Sequence, residues 1–339
     1  MTLGPLRPSS GTFRQGTASL GMDATNGSQR RPIRYRDRYT GRIETEVVYG
    51  ESWLRWAYET PVGRAALRWI GARPLFSAWY GWRMDRPSSR ARVAPFIRDF
   101  RLDPAEFEDP PEAFRSFNEF FFRRLKADAR PIDSDPASIV FPADGRHLGF
   151  ANLDAARSFF VKGQRFDLAR FLDDSTALAC YAGGAAAFSR LCPVDYHRFH
   201  FPVAGVPGSP RLVNGWLWSV NPVALSRNLA YLWENRRWLT EIETGHADGG
   251  RVLMAEIGAT NVGCAVHTFV PGQPVARGEE KGYFRFGGSA VLTLFQPGAV
   301  RLDDDLLAAG EEGLELYAHM GDRLGRWVGS GPRSGSAIG

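Results

Sequence analysis

The chain has 339 residues, of which 44% are hydrophobic and 23% are charged, with a formal net charge of +5. This length and apolar fraction are enough for one large domain or two smaller ones, which excludes a wholly disordered protein. The 3 cysteines form no disulfide framework and match no zinc spacing, so we expect a reducing compartment. Because no apolar run reaches the roughly 18 to 20 residues that cross a bilayer, and the start lacks a signal-type apolar segment, we expect neither a span nor secretion by that route.

The basic excess is concentrated in the first 100 residues. They contain 17 arginines, no lysine and 8 acidic residues, a net charge of +9, whereas the remainder has 25 basic and 29 acidic residues, a net charge of −4. Five tryptophans accompany this charge, at positions Trp53, Trp56, Trp69, Trp79 and Trp82. Such a composition is typical of helices in a lipid headgroup layer, but amphipathic helices often pack on their own core, and both interpretations stay open.

Composition divides the chain into four segments. The two ends are rich in small and polar residues without hydrophobic periodicity, which predicts flexible tails. Between them, a basic helical region that associates with membranes precedes a β-rich domain. The predicted segments are 1–32 for the first tail, 33–100 for the basic region, 101–329 for the β-rich domain and 330–339 for the last tail.

The predicted fold class is α+β. In the basic region, apolar residues at helical spacing are interrupted at Pro61 and Pro74, which predicts short amphipathic helices. Over 138–295, short apolar runs alternate with Gly, Pro and Asp turns, which predicts a mainly antiparallel β core. One helical insertion is expected within it, around 222–233.

Two polar clusters are candidate sites, while phosphate-loop, GxGxxG and HExxH motifs are absent. In FPADG, Gly145 permits a sharp turn that fixes Asp144, although Asp before Gly is more often an ordinary turn. In DYHRFHFP, His197 and His200 would face opposite sides of a strand, so a local metal-chelating pair would need a bend. A functional pair and two satisfied core histidines are equally compatible with this spacing.

The third candidate is the serine of FGGSAV, between two apolar β-type stretches. Glycines before Ser289 allow an open, strained backbone in which its hydroxyl can approach a carbonyl. A Gly-Gly hairpin turn is the ordinary alternative. The nucleophile elbow of α/β-hydrolases requires G-x-S-x-G, and this match fails because Val291 occupies the last position.

In this order, the three clusters resemble those of the phosphatidylserine decarboxylase family. The resemblance covers about residues 33 to 305, and the basic aromatic front is similar to the amino-terminal region of bacterial members. The segments that carry it are FNEFFFRRLKADARPID, VFPADG, FFVKGQRFDLARFL, RLCPVDYHRFHFPVAG, WSVNPVAL, ENRRWLTEIET, AEIGATNVG and FRFGGSAVLTLFQPGAV.

The resemblance implies a self-processing enzyme that makes its own prosthetic group. Ser289 would attack the carbonyl of Gly288, and the chain would be cleaved between these two residues into 1–288 and 289–339. Position 289 would become a pyruvoyl group, which would be the cofactor, with no metal and no pyridoxal phosphate.

The resemblance also implies roles for the other candidates. Asp144 and His200 match the family's processing triad with Ser289, in which the histidine takes the serine proton and the aspartate orients the imidazole. His197 matches the histidine of the decarboxylation step, as a proton donor. The β-rich domain would then be the catalytic domain that converts phosphatidylserine to phosphatidylethanolamine and carbon dioxide.

The expected partners are phosphatidylserine, an anionic membrane surface, the two chains of one precursor and a second copy in a homodimer, with no nucleic acid. The expected location is peripheral, on the cytoplasmic face of the cell membrane. Two alternatives stay open: a pyruvoyl decarboxylase of a soluble amino acid or peptide, and an unprocessed lipid-binding homologue. Ala290, where the family usually has Thr, is the one departure and the support for the last alternative.

Overall fold

A computed structural model describes most of the chain from residue 32 to residue 329. The described residues are 32–47, 51–67, 69, 74–154, 165–246, 250–259, 265–287 and 289–329. Ile33–Gly339 forms a compact unit distinct from Met1–Pro32. Apart from residue 32, the predicted tails lie outside the described residues, and the predicted boundary at residue 100 stays a prediction.

Strands dominate the described residues from residue 138 onward, and a short pair precedes the first helix. They are β1 (Arg34–Asp37), β2 (Ile43–Thr45), β3 (Ser138–Val140), β4 (Gly145–Phe150), β5 (Ala186–Leu191), β6 (Arg198–His200), β7 (Val206–Pro207), β8 (Arg211–Val213), β9 (Arg237–Glu243), β10 (Arg251–Ile257), β11 (Ala265–His267), β12 (Glu280–Phe284), β13 (Ser289–Phe295), β14 (Val300–Leu302), β15 (Glu315–Ala318) and β16 (Arg323–Trp327).

Helices are short. They are α1 (Glu51–Glu59), α2 (Pro61–Ala66), α3 (Pro74–Asp85), α4 (Val93–Phe100), α5 (Phe117–Phe121), α6 (Leu168–Leu172), α7 (Ser175–Tyr181), α8 (Pro222–Leu225), α9 (Tyr231–Glu234) and α10 (Asp304–Glu311). Single turns of 3₁₀ helix lie at Pro104–Glu106 and Pro111–Ala113, and a longer one at Pro87–Arg92.

The largest sheet has ten strands in the order β2, β1, β15, β4, β5, β13, β10, β9, β7, with β8 also paired to β9. Its pairs are antiparallel except for β1 with β15. Two three-stranded sheets, β11-β12-β6 and β14-β16-β3, accompany it. The prediction of an α+β fold with mainly antiparallel sheets is confirmed.

Proline positions explain the breaks between the first helices. Pro61 and Pro74 are the first residues of α2 and α3, where the missing proline N–H costs no helical hydrogen bond. Thr60 caps α2 by accepting a 3.0 Å hydrogen bond from Gly63 N. The helical insertion predicted at 222–233 is present as α8 and α9, but α6 and α7 also interrupt the β region and were not predicted.

The central strand of the large sheet is buried on both faces. Along β13, Val291 and Phe295 join one hydrophobic cluster, while Leu292 and Leu294 join the cluster on the opposite face. A strand covered on both sides needs apolar residues at successive positions, which accounts for the run AVLTLF. The first residue of β13, Ser289, is therefore placed deep in the molecule.

The amino-terminal helices divide their apolar residues between core and surface. Leu54, Ala57 and Tyr58 of α1 are buried, whereas Trp53 and Trp56 are 47% and 44% exposed. No helix in the described part of the chain is long and apolar enough to span a bilayer.

Candidate active site

Ser289 opens β13 with its side chain fully buried. Ser289 is paired with Leu191 of β5, and the next residue, Ala290, is paired with Ile257 of β10. Gly287, two residues earlier, has φ of +143°, a conformation that residues with a Cβ rarely adopt. Gly288, the other half of the predicted cleavage site, lies outside the described residues.

The turn before the predicted cleavage site is anchored by a side chain of α5. Phe286 N–H donates a 2.8 Å hydrogen bond to Asn118 Oδ1, and Asn118 Nδ2 donates one of 2.6 Å to Asp85. The Phe286 ring packs against Phe117 and Phe121, with centroids 5.2 and 4.8 Å apart. The backbone that leads to Ser289 is thus held from both its polar and its apolar side.

His197 is the imidazole in contact with Ser289. Its Nδ1 lies 3.4 Å from Ser289 Oγ, and its Nε2 lies 2.8 Å from Cys192 O. Because a carbonyl oxygen only accepts, Nε2 carries the ring proton and Nδ1 is left to accept from the serine hydroxyl. The ring also stacks on Phe121 with centroids 3.8 Å apart.

The His197 ring is neutral over a wide pH range. Burial lowers its pKa to about 3, the hydrogen bond to the Cys192 carbonyl opposes this, and the positive charge of Arg123 adds to it. A buried, neutral imidazole beside a hydroxyl is the arrangement required of a general base.

The loop that carries His197 is fixed by a buried ion pair. Asp195 accepts hydrogen bonds of 2.7 and 2.6 Å from Arg146 Nη1 and one of 2.6 Å from Cys192 N. This side-chain contact holds the backbone at Cys192, and hence the carbonyl to which the imidazole donates.

His200 ends β6, three residues beyond His197, and faces other groups. Its backbone N–H donates to Pro142 O at 2.7 Å, and its buried Nδ1 has no hydrogen-bond partner among the described residues. Burial lowers its pKa to about 4, while the nearby carboxylates of Glu280 and Asp144 oppose the shift. It is therefore a second neutral, buried imidazole.

Asp144 precedes β4 and is buried. It accepts hydrogen bonds of 3.0 and 2.8 Å from Arg130 Nε and one of 2.8 Å from Met320 N. The next residue must be glycine, because a Cβ on Gly145 would lie 2.4 Å from Arg190 O. Within the described residues no hydrogen bond joins Asp144 to His200, or His200 to Ser289. Of the four predicted residues, only His197 and Ser289 are in hydrogen-bond contact, while the Asp144 carboxylate is near enough for its charge to act on His200.

Ala290 lies on the face of β13 opposite to Ser289, within the apolar cluster of Leu292 and Ile257. A threonine hydroxyl at this position would therefore not lie alongside the serine side chain. Among the described residues, no group of three or more His, Cys, Asp or Glu side chains could hold a metal ion.

Three polar residues around the site had no predicted role. Asn118, Arg123 and Arg130 all lie in the segment FNEFFFRRLKADARPID, and the structure places them against the turn before Ser289, near His197 and on Asp144. The available signal was the density of charged residues between apolar ones, which does not distinguish a buried arginine from a solvated one.

Known proteins are similar in sequence to this chain over most of its length. A family model described as phosphatidylserine decarboxylase matches residues 117–326. A phosphatidylserine decarboxylase proenzyme of Chlamydia pneumoniae is 40% identical over 292 residues, which cover 86% of this chain and 96% of that protein. Proenzymes of the same name from Desulfitobacterium hafniense and Fusobacterium nucleatum are each 39% identical over 293 residues, covering 86% of this chain and 98% and 97% of those proteins.

Proposed function

Because the chain belongs to the phosphatidylserine decarboxylase family, we propose that it is a proenzyme that cleaves itself and then converts phosphatidylserine to phosphatidylethanolamine and carbon dioxide. The observation that carries this proposal is the contact between a fully buried serine, Ser289, and a neutral imidazole, His197, at 3.4 Å. The serine stands where the family resemblance puts the reactive residue.

Cleavage requires the Ser289 hydroxyl to lose its proton and attack the carbonyl of Gly288. The peptide bond then becomes an ester, elimination breaks the ester at Cβ, and hydrolysis releases the nitrogen of residue 289 as ammonia. The attack is favoured by a rigid strand start, the Asn118 anchor on the preceding turn and the exclusion of bulk water from a buried hydroxyl.

The proposed cofactor is a pyruvoyl group made from the atoms of Ser289. Two observations of Ser289 fit this group: its side chain is fully buried, and it is in contact with His197, so the converted residue would be shielded from bulk water beside a proton-carrying imidazole. A pyruvoyl group supplies an electrophilic carbonyl and an electron sink for decarboxylation.

We assign the two histidines to different steps. His197 Nδ1 contacts residue 289, so it can take up a proton from the ammonium group of the arriving substrate and return it to the reacting carbon after carbon dioxide leaves. Asp144 and His200 are proposed to assist cleavage, as the family resemblance implies, and the unpartnered Nδ1 of His200 is free to accept a proton.

The proposed location is the cytoplasmic face of the cell membrane. Supporting this are the net charge of +9 in the first 100 residues and the exposed tryptophans of that region, including Trp79 at 50% and Trp82 at 53%. Arg86 stacks over the Trp82 ring at 3.9 Å, which places a cation and an amphipathic ring together. Cations near an anionic surface contribute on the order of 1 kcal/mol each.

The cleavage proposal is tested by intact mass of the purified protein. The wild-type chain should give fragments 1–288 and 289–339, the second with a blocked amino terminus, whereas Ser289→Ala should remain a single chain of 37.7 kDa. Thr293→Val is the matched control, because it removes a buried hydroxyl without a partner from the same strand and should still be cleaved. An uncleaved wild-type chain would support the alternative of an unprocessed lipid-binding homologue.

The substrate and the membrane are tested together by flotation with phosphatidylserine vesicles. Trp53→Ala/Trp56→Ala should reduce vesicle binding without loss of cleavage, while Val270→Ala, at a residue 64% exposed elsewhere, should not. A wild-type protein that ignores vesicles yet releases carbon dioxide from free amino acids would favour the soluble-substrate alternative. The homodimer expected from the family is checked by sedimentation of the same samples.

A further inference from the structure

Arg123 is a buried arginine that has no carboxylate partner among the residues the structure describes. It is 5% exposed, its Nε has no hydrogen-bond partner, and its Nη1 makes a single 3.5 Å contact to Phe120 O among the described residues. Other buried arginines near the site are paired: Arg130 with Asp144, and Arg146 with Asp195.

An unpaired buried guanidinium is costly to keep. It remains protonated at neutral pH even though burial lowers its pKa. The rings of Phe107 and Phe120 lie 4.8 and 4.9 Å from its central carbon, and such cation–π contacts compensate only part of the lost hydration. Its remaining donors are therefore available to an anion that the described part of the chain does not supply.

The position of Arg123 connects it to the reacting residues. It lies just beyond α5, two residues after Phe121, whose ring stacks on His197. Its carbonyl oxygen lies 3.4 Å from Nε of Arg198, the residue after His197. The charges that act on its guanidinium are Asp144, Asp195 and Glu106, which attract, and Arg130, which repels.

We propose that Arg123 binds the anionic part of the substrate headgroup, its carboxylate or its phosphodiester, beside His197. A guanidinium presents paired N–H donors that match either group bidentately, and the desolvated setting strengthens such a bond. The inference rests on the proposed function, because it assigns the substrate of the same site.

Ligand binding is the direct test. The cleaved enzyme is first reduced with borohydride, so that no turnover occurs, and glycerophosphoserine and glycerophosphoethanolamine are titrated by calorimetry. Arg123→Met should weaken glycerophosphoserine binding by about tenfold or more, the loss typical of a hydrogen bond to a charged group. Arg124→Met, at the exposed neighbouring arginine, should leave it unchanged.

Comparing the two ligands shows whether Arg123 binds the carboxylate or the phosphodiester. If Arg123 binds the phosphodiester, Arg123→Met weakens both ligands; if it binds the carboxylate, only glycerophosphoserine is affected. Unchanged binding of both would overturn the proposal. Intact mass of each sample reports cleavage separately, so an uncleaved wild-type chain counts against the proposed function, and ligand binding is still measurable on it.

Thermal stability distinguishes binding from a structural role. Removing an unpaired buried charge while retaining an apolar side chain should leave the melting temperature of Arg123→Met unchanged or raised. A large fall in melting temperature, or failure to fold, would overturn the proposal, because the guanidinium would then be satisfied within the protein.

Discussion

At the scale of single residues, His197 is held at both ring nitrogens. Cys192 O accepts from Nε2, and Nδ1 faces Ser289, so the tautomer is fixed by a carbonyl that cannot donate. His200 is similarly buried, but its Nδ1 has no hydrogen-bond partner among the described residues. The two imidazoles therefore differ in contacts rather than in charge, and single substitutions should separate their roles.

We predict that His197→Ala is still cleaved but loses decarboxylation by about 10²- to 10⁴-fold, the usual contribution of a positioned proton donor. His200→Ala and Asp144→Asn should instead accumulate uncleaved chain. The measurements are intact mass and carbon dioxide release on the same preparations. If His197→Ala stayed uncleaved while His200→Ala was processed, the imidazole in contact with Ser289 would be the cleavage base.

The sequence predicts which serine reacts but not which residues support it. Ser289, His197 and Asp144 stand in short motifs whose glycines, prolines and paired histidines are visible in one dimension. Arg123 and Asn118 become meaningful only when their burial is known, because a charged or amide side chain in a helical segment is usually solvated.

At the scale of elements, α5 holds the turn that leads into β13. Its Asn118 is fully buried and accepts from Phe286 N, and Asp85 at the end of α3 accepts from the same amide. The geometry of the proposed cleavage site therefore depends on two helices, α3 and α5, that are distant from it in sequence.

We predict that Asn118→Ala slows cleavage by about tenfold, because the buried Phe286 N–H loses its acceptor and the turn is no longer fixed. The time course of fragment appearance after expression measures this. Asn214→Ala, at an exposed asparagine, is the control. Cleavage at the wild-type rate in Asn118→Ala would mean that the aromatic packing alone positions the turn.

A buried ion pair joins β10 to β12. Glu256 and Lys281 are both fully buried and in contact, and His267 Nε2 lies 2.9 Å from the second oxygen of Glu256. Glu256→Leu should lower the free energy of unfolding by about 3 to 5 kcal/mol, since it leaves a buried ammonium unpaired. Adding Lys281→Met should recover most of the loss, as measured by urea unfolding, and a double variant as unstable as the single one would contradict this.

Local signals predicted some elements well and long-range pairing poorly. Pro61 and Pro74 marked helix starts correctly, because proline acts on its own backbone. The region predicted as helical also contains β1, which joins the large sheet by pairing with β15 almost the whole chain away. Such a pairing depends on tertiary packing, which no local pattern reports.

At the scale of the whole molecule, buried neutral histidines are expected to contribute to the loss of stability in acid. Burial lowers the pKa of His147 and His197 to about 3 and that of His200 to about 4. In the unfolded chain these groups take up protons near pH 6.5, so the unfolded state binds more protons below that pH. The contribution of these histidines to the free energy of unfolding is therefore complete above about pH 6.5, and it is lost as the pH falls toward their folded-state pKa values.

We predict that the free energy of unfolding falls by up to about 1.4 kcal/mol per pH unit for each of these histidines between about pH 6 and pH 4. His147→Gln should reduce this slope by the contribution of one histidine, as measured by urea unfolding between about pH 6 and pH 4. His319→Gln, at a partly exposed histidine, should leave more of it intact. An unchanged slope in His147→Gln would show that carboxylates, not this imidazole, control the acid limit.

The position of β13 between β5 and β10 also bears on the order in which the chain would fold and be cleaved. The proposed cut before Ser289 would leave β13 hydrogen-bonded to β5 and β10, so the two fragments would stay together. Made separately, 1–288 would have two open strand edges in the middle of its sheet, a template for aggregation. If the proposed cleavage occurs, we expect the sheet to form before the chain is cut, so that a folding defect would appear first as uncleaved chain.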